Sequence, residues 1–497
     1  MDRRTRLIPG LALILACGSC AAGGSVDVAS SPAPASQSQA VTLIFAGDVM
    51  LGRSVAPIAA ADPDGLFADI RREIRRADLA VVNIESPLTA RPHQSPNPYA
   101  LEADPATARL LSGAGFDIAG LANNHAGDAG PASVLDSIDA VHAAGMQAVG
   151  GGADLESAWE PVVIDVNGVR VAFLAVDGSE QGLAATDHTP GIASWDPGLA
   201  REAIREVQKR ADVIVVGLHG GIEYWEGADP LLSPIAEELA TWGVDIVWGH
   251  GPHVEQPIVI IDSDDDGRPT VVATSLGNFL FDQRTADTSN GILLEVLVDR
   301  DGVVAHRVGN KHHDDLRVHF SGWRVPGGDS ALVDGRLWCL DRPVTPVEIS
   351  VDLEPFSEGA VIDAARGDLD GDGTTEYLVS YRHPVRSKPD DPLPQPPVDS
   401  AGMSAHLGVL DATRTPIWLS RRPPHAVGAV AACDGAAAFS YTTLDDDTVV
   451  ATGVGSWGGF GFVLEEELPG SGRIGCADVD GDGRLDPVVI GRAPAAP

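Results

Sequence analysis

Short runs of β-branched and aliphatic residues recur from Val41 onward, each ended by Gly, Asp, Asn or His and followed by a polar stretch. Val41–Ala46, Leu79–Ile84, Val162–Asp165, Val169–Val176, Val213–Leu218, Ile246–Trp248 and Val271–Thr274 are short and almost uniformly apolar, so they predict buried strands. Ala132–Ala144 and Pro234–Trp242 carry their apolar residues at helical spacing and predict helices. Asn167-Gly168 between two of the runs predicts a tight hairpin, because both residues tolerate positive φ. Buried strands interleaved with helices predict an α/β sandwich with some antiparallel pairing. Beyond about residue 300 the helical spacing fades, and short strands alternate with Gly, Pro and Asp turns. A second, mostly-β region is therefore expected, its boundary between 300 and 350, with Pro384–Pro397 as a surface loop.

The chain has 497 residues, which favours more than one domain, and its 44% hydrophobic content excludes a largely disordered protein. Its 34 Lys+Arg stand against 71 Asp+Glu, a formal charge of −37. With Lys209, Lys311 and Lys388 as its lysines, it lacks the basic face that nucleic-acid binding requires. At the N-terminus, Arg3, Arg4 and Arg6 precede the apolar stretch Leu7–Ala16, too short to span a bilayer comfortably. Residues 1–20 therefore read as a secretory signal, and export follows. Ile14-Leu15-Ala16-Cys17 resembles a lipobox, with Cys20 a competing lipidation site and a plain cleaved signal the alternative. Residues 21–40, rich in Ala, Ser, Pro and Gly, read as a flexible linker. Cys339, Cys433 and Cys476 allow at most one further disulfide, with one thiol left over, and their spacing suggests no zinc knuckle.

Five loops that follow apolar runs bear metal-ligand residue types. They are Gly47-Asp48 with Gly52-Arg53, Asn83-Ile84-Glu85, Asn123-Asn124-His125 with Asp128, His219-Gly220 with Glu223, and Gly249-His250-Gly251-Pro252-His253. Taken alone, each reads first as a cap, a turn or a satisfied histidine. Taken together they differ, because neighbouring strands of an α/β sheet deliver their C-terminal ends to one edge. Mixed oxygen and nitrogen donors gathered there suit a pair of Mn, Fe or Zn ions, which polarise a phosphoryl-type oxygen and generate a nucleophile from water.

These motifs, with Ser275-Leu276-Gly277-Asn278-Phe279, resemble the CapA family of capsule and poly-γ-glutamate synthesis proteins, related to calcineurin-like metallophosphoesterases. The resemblance spans about residues 41–300. It implies a two-sheet α/β/β/α sandwich there; the changed texture beyond it predicts an extension over 301–349 and a smaller mostly-β domain over 350–497. The resemblance also implies that Asp48, Glu85 and His253 hold one ion and that Glu85, Asn124, His219 and His250 hold the second, with Glu85 bridging. His125 would act as general acid or oxyanion stabiliser, and Arg53 would clamp an anionic group or form a surface salt bridge. Asp128 and Glu223 would orient the histidines. The chain departs from the phosphoesterase Asp-x-His pattern at Met50.

In the C-terminal part, Asp368, Asp370, Asp372 and Glu376 repeat the spacing of Asp478, Asp480, Asp482 and Asp486. Alternating carboxylates on a Gly turn make an oxygen cage suited to Ca²⁺. The motif resembles the FG-GAP loops of integrin-like propeller blades. Asp262–Gly267 lacks the final acid and predicts a solvated hairpin. The functional expectation is an exported envelope protein, membrane-anchored through lipid or otherwise secreted. It would handle an anionic capsule polymer, by metal-dependent hydrolysis or by binding and assembly without turnover; calcium-dependent surface adhesion is the remaining alternative.

Overall fold

Period-two alternation along each strand sorts its side chains onto two faces, and that sorting builds the layers. In the strand Val41–Val49, Leu43 and Phe45 point into one core while Ile44 and Ala46 point into another. In Val169–Asp177, Phe173 and Ala175 enter the core shared with Leu43 and Phe45, and Ala172 and Leu174 enter a third. The shared core therefore lies between two sheets, with helices closing the outer face of each. The computed structural model describes residues 40–491, except 97–98, 263–267, 326–328, 334–335, 345, 347–360, 370–372, 385–402, 414–415, 420–425, 443–448, 458–461 and 470–471. The signal, most of the linker, the hairpin tip after Asp262 and most of the proline-rich loop lie outside the described residues.

The first sheet runs in parallel through Val41–Val49, Leu79–Ile84, Ile118–Gly120 and Gln147–Val149. The second has Val169–Asp177, Val213–His219, Ile246–His250 and Pro269–Ala273 in parallel, with antiparallel strands at both edges. The hairpin at Asn167-Gly168 joins Val162–Val166 to Val169–Asp177, with φ of 50° and 84° at the two turn residues. Helices Pro131–Ala143 and Leu232–Thr241 stand where helical spacing predicts them, and Pro197–Val207 adds a third, started by Asp196 accepting from the Gly198 and Leu199 N–H groups.

Trp248 ties the two sheets together. Its indole Nε1 donates to the Ala46 carbonyl at 2.8 Å, and its ring lies over Gly120 and Gly217, where a Cβ would come within 3.0 Å of it.

Among the described residues no helix follows Ser289. Strands Asn290–Asp299 and Gly302–Asp314 extend the first sheet beyond Val41–Val49, and Ser330–Val333, Arg336–Leu340, Arg473–Ala477 and Asp486–Ile490 continue it. Two four-stranded antiparallel sheets, over 361–419 and 426–469, complete the β-rich region and share a core containing Leu378, Val427 and Phe439. A disulfide joins Cys433 to Cys476, leaving Cys339 outside it.

Candidate metal centre

Register alone aligns the centre. Asp48 and Asn83 sit side by side near the carboxyl ends of their parallel strands, Asn278 opens the short strand on the other side of Asp48, and His250 ends its strand beside His219, which ends its own. The sheets face each other, so the two sets meet. Asp48, His219 and His250 offer ligand atoms within 4.8 Å of one another, and so do Asp48, Glu85 and His253. All five are buried.

Asp48 is the hinge between the groups. Its Oδ1 lies 3.9 Å from Nδ1 of both His219 and His250, and its Oδ2 lies 3.5 Å from Nδ1 of His253. Glu85 also reaches both sides, with Oε1 3.9 Å from His219 Nε2 and Oε2 3.9 Å from His253 Nδ1. Asn124 Oδ1 lies 3.0 Å from His219 Nε2. The remaining donors around Asp48 are fixed by the chain: Asn83 Nδ2 donates to Oδ1 at 2.7 Å and the Gly251 N–H to Oδ2 at 3.0 Å.

The charge balance in this pocket favours a cation. Burial holds the His250 imidazole down at about 4 and His219 well below its ordinary range, so both are neutral at pH 7 with lone pairs available. Burial also opposes charge on His253, but the Glu85 and Asp48 carboxylates outweigh it and raise that ring to about 9. Burial pushes the Asp48 carboxyl up, yet its hydrogen bond to His253 and the nearby imidazoles hold it below the usual range. Glu85, buried beside the Asp48 charge, is pushed well above. Two atoms in this pocket, Glu85 Oε2 and His250 Nε2, are buried without a hydrogen-bond partner. An orphaned acceptor such as Glu85 Oε2 is costly, and a divalent cation beside it would satisfy it while letting both carboxylates ionise. The donor set thus fits a divalent metal.

Residues 42–283 match the family model for the bacterial capsule synthesis protein PGA_cap. The PGA biosynthesis protein CapA of Bacillus subtilis (strain 168) is 32% identical over 263 residues, covering 52% of this chain and 68% of that protein. The chain belongs to the PGA_cap family. The capsule biosynthesis protein CapA of Bacillus anthracis is 31% identical over 275 residues, covering 53% of this chain and 66% of that one. Among solved structures, the NAD nucleotidase NadN of Haemophilus influenzae aligns at 11% identity over 57% of this chain and 53% of that one, with a TM-score of 0.35, too low to argue from.

Within this PGA_cap chain the other expected site residues have distinct placements. His125 Nδ1 is held 2.6 Å from Asp128 Oδ2, and its Nε2 lies 4.0 Å from Glu85 Oε1. Arg53 makes an ion pair with Asp282, Nε to Oδ2 3.2 Å, and is not hydrogen-bonded to any of the six metal-ligand candidates. Met50, at the Asp-x-His departure, is fully buried in the outer core of the first sheet.

Three supporting residues carry no role in the sequence reading. Asn83 relays from Asp48 to Asn123, whose amide also donates to the Ile84 carbonyl. Asn278 faces His253 Nδ1 at 3.0 Å and donates to Gln283 and to the Thr288 carbonyl. It steadies a ligand candidate whose backbone sits at φ 64°, a left-handed conformation unusual for a non-glycine residue. Gly47 approaches Gly277 so closely that a Cβ would lie 1.8 Å from the Gly277 carbonyl oxygen. The phrases Asn83-x-Glu85 and Gly277-Asn278 marked these positions in the sequence; their contacts need the folded sheets.

In the C-terminal loops, Asp370 and Asp372 lie outside the described residues. The rest of the two repeats match in geometry. Glu376 accepts from the Leu369 N–H and Asp486 from the Val479 N–H, while Asp368 and Asp478 accept from the Gly373 and Gly483 N–H groups. Asp478, Asp480 and Asp482 bring carboxylate oxygens within 4.8 Å of one another.

Proposed function

We propose that this chain is an exported, lipid-anchored capsule-polymer protein of the cell envelope, with a dinuclear divalent-metal centre that serves metal-dependent hydrolysis in the synthesis or handling of poly-γ-glutamate. The observation that carries the reading is the buried cluster of two carboxylates and three imidazoles in which Glu85 Oε2 is left without a partner. Asp48, Glu85 and His253 would hold one ion, and Glu85, Asn124, His219 and His250 would hold the other. Such a pair, when bound, supplies Lewis acidity at a phosphoryl or amide centre and an acidified water. The chain's own groups do the rest. Asp128 fixes the His125 ring through Nδ1, which leaves Nε2 to hold a proton beside Glu85 and give it to a leaving group. Asn278 and Asn83 keep His253 and Asp48 oriented. In the C-terminal region the duplicated acidic loops serve Ca²⁺. The anchor is assigned to Cys17 or Cys20 from the lipobox-like segment.

Elemental analysis of the purified mature chain tests this reading. The Asp48→Ala, His250→Ala double variant is expected to hold about two equivalents of Mn, Fe or Zn fewer than the parent chain. Absence of transition metal from both, even after reconstitution, would remove the enzyme reading. Retention of poly-γ-glutamate without turnover by the metal-loaded chain would reassign the centre to binding and assembly.

A further inference from the structure

A second cluster of ligand-type side chains lies outside the centre just described, where the strand Gly302–Asp314 meets Arg336–Leu340. This antiparallel contact rests on two aligned pairs, Ala305 with Leu340 and His306 with Cys339. Directly opposed residues share a face of the sheet, so His306 and Cys339 point the same way, and Asp341 follows two residues on. The Asp341 N–H donates to the Val304 carbonyl at 3.0 Å, which carries its side chain back towards His306. His306 Nδ1 then lies 2.7 and 2.8 Å from the two carboxylate oxygens. One ligand atom from each of His306, Cys339 and Asp341 lies within 4.8 Å of the others. His306 is 3% exposed and Cys339 7%, and on the neighbouring strand His306 stands opposite Val296, which is buried in the core between the two sheets.

We infer that His306, Cys339 and Asp341 form a structural site for a thiophilic divalent cation, Zn²⁺ by donor chemistry, that clips strand Gly302–Asp314 to strand Arg336–Leu340. Thiolate, imidazole and carboxylate are zinc's usual protein donors, with bonds of about 2.0–2.3 Å, so tetrahedral ligands stand about 3.3–3.8 Å apart and the His306–Asp341 hydrogen bond need open by less than about 1 Å to admit an ion. A Cys–His–Asp relay would place the imidazole between sulphur and carboxylate, whereas here all three atoms are mutually close. The charges also balance: a dication with one thiolate, one carboxylate and a neutral imidazole is neutral overall, as an apolar shell requires. On binding, the Cys339 thiol releases its proton to water, and the proton that His306 Nδ1 shares with Asp341 vacates the ligand position. The second oxygen of Asp341 is available for the fourth position. Burial raises the Asp341 carboxyl, and a bound cation relieves that cost. The site is independent of the Asp48 centre and stands or falls separately from the proposed function.

Titration of Co²⁺ into the metal-stripped full-length chain tests the site, because the Asp48 centre contains no sulphur. One equivalent is expected to develop a near-ultraviolet thiolate-to-cobalt band that Zn²⁺ bleaches. Cys339→Ser should abolish the band and His306→Gln should weaken cobalt binding at least tenfold, while the Asp48→Ala, His250→Ala variant keeps the band. No band in the parent chain overturns the site, a reading that needs no variant to fold. A band that survives Cys339→Ser overturns it as well, since another thiol would then be the ligand.

Discussion

At the scale of single residues, the centre is shaped as much by what is missing as by what is present. Gly47 has no side chain because the Gly277 carbonyl occupies the space, and that approach brings Asp48 to Asn278 across adjacent strands. Gly47→Ala must therefore part the strands at the ligand it precedes. We expect a loss of about 2–4 kcal/mol in denaturant unfolding, together with reduced metal content in the folded fraction. Met50 makes the converse point. Where the phosphoesterase pattern has a histidine, this chain has a core residue, so the candidate nitrogen donors lie on the second sheet and on the Gly251–His253 turn. The identities of Asp48, Glu85, His219, His250 and His253 were readable because each ends or follows a recognisable run. That Asp48 touches both groups was not, since it depends on which oxygen faces which imidazole.

At the scale of elements, the strand Gly302–Asp314 carries polar groups inward that no periodicity would place there. Lys311 Nζ donates to the Ser289 carbonyl at 3.3 Å, and His313 Nε2 lies 3.1 Å from the Gln283 carbonyl. Both hold the segment 283–289, which in turn holds Asn278 against His253. Burial drags the Lys311 ammonium from 10.5 down to about 7. Between those values the unfolded chain binds the extra proton, so stability rises with pH across the window, and the full penalty stands below it. Lys311→Met should thus stabilise the fold at pH 6 by roughly 3–5 kcal/mol and lose that advantage as the pH approaches 10. Urea unfolding at the two pH values measures it, and a pH-independent difference would contradict the cause. His313, lowered by burial to about 4, adds a separate loss of stability as the pH falls from 6.5 towards 4.

At the scale of the whole molecule, long-range ties matter more than local ones. The β-rich region does not stop at its own sheets, because Asp486–Ile490 pairs with Ser330–Val333 in the first large sheet. The Cys433–Cys476 disulfide, with a sequence separation of 43, links the end of one four-stranded sheet to the strand that joins this larger sheet. Closing a loop of that length stabilises by about 4 kcal/mol in the chain-entropy model. A Cys433→Ala, Cys476→Ala variant should lose up to that amount in a denaturation followed by a C-terminal probe. Metal content at the Asp48 centre should stay unchanged. The charge of −37 acts at this scale as well: it sets a repulsion that bound cations must offset locally if an anionic polymer is to approach.

The sequence by itself determined the strand runs, the principal helices, the hairpin at Asn167-Gly168 and the residue types of the centre, because period, turn chemistry and donor identity are local properties. The tertiary structure decided the rest. Three-residue strands such as Ile118–Gly120 are too short to show a period and exist through pairing with Leu79–Ile84 on one side and Gln147–Val149 on the other. The junction of Gly302–Asp314 with Arg336–Leu340 brings His306 to Cys339 across more than thirty residues, a distance no local pattern encodes. Whether an imidazole is neutral, or a carboxylate protonated, follows from burial and neighbours, and those are properties of the packed sheets alone.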